Sequence, residues 1–97
     1  MPTYVSLIKY TQQGISSIKE ASKRLEAARQ NAKAAGGSLK AVYFVMGQYD
    51  LVAISELPDD ETAAKAALTA SSQGNVKTET LRAFTESEFL KMVASLP

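Results

Sequence analysis

Four stretches of this chain carry apolar side chains on both of their faces, and that pattern constrains the fold more than any other feature. Along 4–10, alternation sets Tyr4 and Ile8 against Val5 and Leu7. Along 39–46 it sets Leu39, Ala41, Tyr43 and Val45 against Val42, Phe44 and Met46. Leu51 and Ala53 oppose Val52 and Ile54, and Val76 and Phe84 oppose Leu81 and Ala83. A strand with one face in the core and one in water alternates apolar with polar residues. These strands do not, so the sheet they build needs cover on both sides.

The remaining segments supply cover for one side. Ile18, Ala21, Leu25, Ala28 and Ala32 recur at helical spacing and predict a helix over 17–35, opened by a Ser17–Glu20 capping box and closed by Gly36-Gly37. Pro58-Asp59-Asp60-Glu61 introduces an alanine-rich helix over 62–73 that stops at Gly74. Thr85 and Glu88 form a second capping box for a short C-terminal helix with Phe89, Leu90 and Val93. Gly47-Gln48-Tyr49-Asp50 joins the second and third strands as a β-hairpin, with Gly47 at a positive-φ position. The order β-α-β-β-α-β plus one helix is the split-βαβ arrangement: an α+β, ferredoxin-like single domain over residues 1–97 with a four-stranded antiparallel sheet.

Both main helices of such a domain lie on one face of the sheet. Covering the other with a second copy buries ~600–800 Å² per subunit, which at roughly 25 cal/mol per Å² is a large driving force even after the costs of association. A symmetric sheet-on-sheet homodimer, or a higher oligomer of such dimers, is the expected state; the alternative is that the C-terminal helix folds back over the open face.

Composition closes off whole classes of chemistry. The 97 residues include no cysteine and no histidine, so thiolate catalysis, disulfides, Cys/His metal sites and histidine-ligated haem are excluded. No metal or cofactor is expected. Eleven basic against ten acidic side chains give +1, with no charge excess for nucleic acid or anionic membrane. No stretch approaches the ~18 apolar residues of a membrane span, and a cytoplasmic location is expected. Fifteen of the apolar residues are alanine, so the core is thin.

Three stretches carry a family resemblance. They are the Gly47–Tyr49–Asp50 hairpin, Thr11-Gln12-Gln13-Gly14 leading into Arg24-Leu25-Glu26-Ala27, and the run from Gly74 to Thr85. Together they resemble the GYD domain family, whose name records the hairpin's glycine, tyrosine and aspartate. The resemblance implies a dimeric α/β barrel, in agreement with the two-sided strands, and it implies no particular reaction.

The candidate ligand-binding residues are Tyr10, Tyr43, Tyr49, Asp50 and Arg82. Asp50 beside Tyr49 suits a general base or ligand anchor; an Asx-type hydrogen bond that fixes the hairpin is the structural alternative. Arg82 shares a face with Thr78, Thr80 and Phe84, where a guanidinium calls for an anionic ligand or an acid across a subunit interface, unless it is simply exposed at the sheet edge. The tyrosines suit a pocket or an interface. Lys19, Lys23, Arg24, Arg29 and Lys33 read as the solvated face of the first helix, with Glu20 and Arg24 as an i,i+4 pair. Three functions are open: a homodimer that binds a small organic ligand, anionic or neutral, a cofactor-independent oxygenase or isomerase using Tyr, Asp50 and Arg82, or an assembly dimer with no pocket.

Overall fold

A computed structural model describes residues 1–97. Its strands are β1 (Thr3–Tyr10), β2 (Ser38–Phe44), β3 (Leu51–Glu56) and β4 (Val76–Ala83), and its helices are α1 (Gln12–Ser16), α2 (Ala21–Ala34), α3 (Asp60–Ser72) and α4 (Glu86–Ala94). The sheet is antiparallel in the order β2-β3-β1-β4, the ferredoxin-like α+β topology. Helices α2 and α3 lie over one face.

Registers fix which residues share that face. Tyr4 sits opposite Arg82 and Ser55, Ser6 opposite Thr80 and Ala53, and Ile8 opposite Thr78 and Leu51. The other face carries Val5, Leu7, Val52, Ile54 and Leu81. In β2 the expected phase is wrong from Lys40 onward. Leu39 pairs with Ser55 but Ala41 pairs with Ile54, so Lys40 is the extra residue of a β-bulge. The bulge carries Leu39 to the same side as Val42 and Phe44, leaving Ala41 and Tyr43 opposed to them. Lys40, freed from the ladder, reaches Glu56 at 3.7 Å. Val45 and Met46 belong to the hairpin loop rather than the strand.

The first helical region also departs from expectation. It starts at the Thr11 N-cap, whose hydroxyl accepts from the Gly14 N–H and donates to the Gly74 carbonyl at 2.6 Å. Gly14 is buried, and a Cβ there would run into the Asn75 carbonyl oxygen, so only glycine lets α1 lie against the start of β4. Held at that end, the chain breaks at Ser17 and makes a 3-10 turn over Ile18–Glu20 before α2 begins. The Ser17 side chain therefore makes no capping bond; its hydroxyl donates back to the Gln13 carbonyl. Glu20 pairs with Lys23 at 3.2 Å, not with Arg24.

Two other expectations hold. The acidic run 58–61 opens α3, where Asp59 proves to be the cap by accepting from the Thr62 N–H, and Thr85 with Glu88 forms a complete capping box at α4. Gly47 has φ +127 with open space around it, so its requirement is purely one of backbone conformation.

The fully buried cluster is small: Tyr4, Leu57 and Ala63, with Ala32 packed against them. Helix α4 forms no substantial packing with any other element, and Phe89, Leu90 and Val93 on it are exposed. The radius of gyration is 14.6 Å, against about 12.5 Å for a compact chain of this length. No helix is long and apolar enough to cross a membrane.

Candidate functional site

The space where a ferredoxin-like domain ordinarily has its densest core is hollow here. A cavity of about 610 Å³ lies between the sheet and helices α2 and α3. The cause is in the sequence: the helices face the sheet with Ala21, Ala28 and Ala32 from α2 and Ala63, Ala66 and Ala70 from α3, side chains too short to meet the strands. Nineteen of the 30 lining residues are hydrophobic, so the space favours an apolar occupant. Its floor nevertheless holds hydroxyls, from Ser6, Thr78 and Thr80 among others, and the Ser6 and Thr80 oxygens lie 3.5 Å apart.

Tyr4 closes one end. It is 2% exposed, and its hydroxyl donates to Asp60 Oδ1 at 2.5 Å. Burial first, and then the bond to Asp60, push this phenol up to about 12. Tyr4 is thus held neutral as a donor to a carboxylate and is poorly suited to act as a base.

Arg24 is the least expected member. It extends from α2 inside the cavity wall, where its Nη1 donates to the Ser17 carbonyl at 3.1 Å and to the Ser17 hydroxyl at 3.3 Å. Its Nη2 is shielded from solvent and has no partner. Arg24 and Lys65 are the charged residues of the lining, which includes no carboxylate. Lys65, exposed and 3.8 Å from Glu61, stands at the rim.

The residues singled out from sequence do not converge on one place. Tyr10 lines the cavity at the β4 end. Asp50 is tied into the backbone: its Oδ2 accepts from the Tyr10 N–H at 2.9 Å, and its own N–H donates to the Ile8 carbonyl at 2.8 Å. That is a hairpin anchor on β1, and Asp50 is not part of the cavity wall. Tyr49 covers Lys9 on the opposite face of the sheet, with its ring centroid 5.4 Å from Nζ. Tyr43, on that same face, is 59% exposed. Arg82 is exposed at the far end of β4, stacked on Phe84 at 4.3 Å and over Tyr4 at 5.8 Å, and it donates to the Ala83 carbonyl. Of the five, Tyr10 alone belongs to the cavity.

The most consequential cavity residue is one that sequence reasoning places elsewhere. Charge and spacing put Arg24 on a solvated basic face, yet Arg24, Ala28, Asn31 and Ala35 recur at helical spacing and all line the cavity. That spacing is the signal that could have found it. No three acidic side chains come together at a point that would hold a metal ion.

The topology and the alanine-roofed cavity define the class: a small ferredoxin-like α+β protein with room for a ligand between sheet and helices. Within that class, the model of the GYD domain matches residues 4–93, and the chain belongs to the GYD domain family. A relative from Thermus thermophilus, the glutamine synthetase and cystathionine beta-lyase binding protein, is 36% identical over 84 residues, spanning 86% of this chain and 88% of its own. The crystal structure of TTHA0845, also from Thermus thermophilus, is similar with a TM-score of 0.55 and 30% identity, over 88% of this chain and 95% of that one.

Proposed function

We propose that this protein is a homodimeric binding module that takes a small organic molecule between its sheet and helices α2 and α3. The observation that carries the reading is the cavity of about 610 Å³, which falls in the ~300–1,000 Å³ range of small-molecule sites. Tyr10 and the floor hydroxyls supply the few polar contacts that orient such a guest. The dimer reading rests on the bare sheet face and agrees with the α/β barrel that the family resemblance implies. Its expected mass is twice the 10.4 kDa of the chain.

The test uses a neutral dye, N-phenyl-1-naphthylamine, whose fluorescence rises in apolar surroundings. Wild-type protein should enhance it saturably, and Ala28→Trp, which fills the cavity from the helix side, should abolish the enhancement while the fold persists by circular dichroism. A dye signal unchanged in Ala28→Trp would place the binding elsewhere and end this reading.

A second reading has its own observation. The Thermus thermophilus relative is named for binding two enzymes, and here α4 offers exposed Phe89, Leu90 and Val93 with no substantial packing on the rest of the chain. Docking on a larger enzyme through α4 is compatible with ligand binding in the cavity. Pull-down of glutamine synthetase by wild-type protein, lost in Phe89→Asp, tests it.

A further inference from the structure

We propose that the cavity's guest is an amphiphilic anion, a carboxylate on an apolar body, and that Arg24 receives its head group. This rests on the cavity being a ligand site, and it adds the chemical class of the ligand and the residue that selects it.

Three observations converge. The first is the charge of the wall: Arg24 and Lys65 are cationic, no acidic residue joins them, and most of the remaining lining is hydrophobic. A cavity of that make-up repels cations, offers neutral guests only dispersion and hydroxyl contacts, and rewards an anion with an apolar body.

The second is the state of Arg24. A guanidinium carries five N–H donors, and a buried one is ordinarily satisfied by carboxylate or carbonyl oxygens. Here Nη1 has two acceptors, both on Ser17, while Nη2 is shielded from water and has none. Leaving a charged donor unpaired out of water is costly, and a purely structural arginine at this point would have a complete set of partners. A carboxylate oxygen lodged in the cavity supplies the missing acceptor once the guanidinium swings on its flexible stem toward the guest.

The third is orientation. The Ser17 hydroxyl donates to the Gln13 carbonyl at 2.9 Å while it accepts from Nη1, and Gln13 in turn donates to the Gln73 carbonyl and to Asn75 Oδ1, each at 3.0 Å. The break between α1 and α2 thus holds an acceptor pair for one arm of the fork and gives the other arm none, so the resting guanidinium lies beside the cavity with a donor unspent. The helix break at Ser17, otherwise an interruption in a regular element, has a use.

The measurement displaces N-phenyl-1-naphthylamine with three molecules sharing one tail: decanoate, 1-decanol and decyltrimethylammonium, at a pH where the carboxylate is ionised. Decanoate should compete about tenfold to a hundredfold better than decanol, the worth of one charge-assisted hydrogen bond, and the cation should compete worst. Arg24→Met should erase the preference for decanoate and leave decanol unchanged. Arg24→Lys should keep part of it, as a point charge without the fork. Equal competition by decanoate and decanol in wild-type protein would overturn the proposal while the cavity reading stands. So would a preference that survives Arg24→Met but vanishes in Lys65→Gln. Absence of dye binding in wild-type protein would remove the cavity reading and this inference together. The head-group comparison needs no variant, so it decides the matter even if Arg24→Met folds poorly.

Discussion

Both faces of this sheet carry aliphatic side chains, although only one of them has helices over it. The face under α2 and α3 carries Leu39, Val42, Leu51 and Ile8 with Ser6, Ser55, Thr78 and Thr80 among them, and above them is a cavity. The face with nothing over it carries Val5, Leu7, Val52, Ile54 and Leu81, with Leu81 45% exposed. In a self-sufficient α+β domain the aliphatic face lies inward and the hydroxyl-bearing one meets water. Here aliphatic side chains lie on the uncovered face as well; on the function proposed above, a second molecule dries that face, and the hydroxyls of the inner face serve a guest. The difference teaches that this chain divides the tasks of a hydrophobic core between two places.

The strongest way to break that comparison is to charge one face at a time. Tyr43 and Val42 are adjacent in sequence, and the bulge decides which side each of them takes. Tyr43→Asp should weaken dimerisation by about a hundredfold or more, because an unpaired carboxylate would be buried at the interface, and sedimentation equilibrium at micromolar concentration should then return the single-chain mass. Val42→Asp should leave the dimer in place and reduce dye binding in the cavity. Monomers from Val42→Asp and dimers from Tyr43→Asp would invert the assignment of faces.

The next effect lies at the end of the cavity. Gly14→Ala forces a methyl group into the Asn75 carbonyl and should cost about 2–3 kcal/mol by urea titration. Gly47→Val, strained only in its backbone, should cost about 1–3 kcal/mol. Gly14 should prove the more damaging of the two for dye binding, since it abuts Tyr10 in the cavity wall.

Smaller again is the alkaline response of Tyr4. Its phenol is pushed up to about 12 in the fold, against about 10 in an unfolded chain. The folded protein therefore keeps a proton that the unfolded chain gives up. Its contribution to stability is whole below about pH 10 and is lost as pH rises from there toward 12. Urea midpoints of wild type should fall over that window more steeply than those of Tyr4→Phe. Parallel curves would mean that Tyr4 is not the group responsible.

The smallest expected effect is at α4. The Thr85 N–H and then the Thr85 hydroxyl hold the Glu88 carboxyl below the usual carboxylate range, and the hydroxyl also accepts from the Glu88 N–H. Thr85→Ala keeps the first of these bonds and removes the hydroxyl half of the capping box. Because α4 has no substantial packing on its own chain, its helicity should decline while the melting temperature of the sheet stays put. A parallel fall in melting temperature would show α4 braced against the partner.

How much of this is readable from the residues differs by region. The faces of β1, β3 and β4, the acidic start of α3 and the capping box of α4 depend on neighbours a few positions away, and the sequence pattern discloses them. The bulge at Lys40 does not announce itself, since a charged residue between Leu39 and Ala41 fits either phase of a strand until Glu56 and Ile54 fix its register. The helix break at Ser17 is set by Thr11 and Gly14 meeting Gly74 and Asn75, far away along the chain. The inward turn of the Arg24 side chain is only half visible in sequence, for a related reason. Helical spacing locates its Cα near the rim of the apolar stripe, and only the bend at Ser17 provides the acceptors that turn its long side chain inward. Asp50 is visible as a hairpin residue, but its bond to the Tyr10 N–H spans 40 positions and is set by strand pairing.

The alanine roof has a consequence for how such proteins diversify. Ala27, Ala28, Ala35 and Ala66 border the cavity yet remain exposed, so little folding energy depends on them. A larger or differently shaped side chain at any of these four positions recuts the mould with little effect on the scaffold, while the aliphatic sheet face on the far side stays untouched. On the proposed function, selectivity can thus drift along the helices in single steps, each tolerated on its own, and a lineage can change what it binds without passing through an unfolded ancestor.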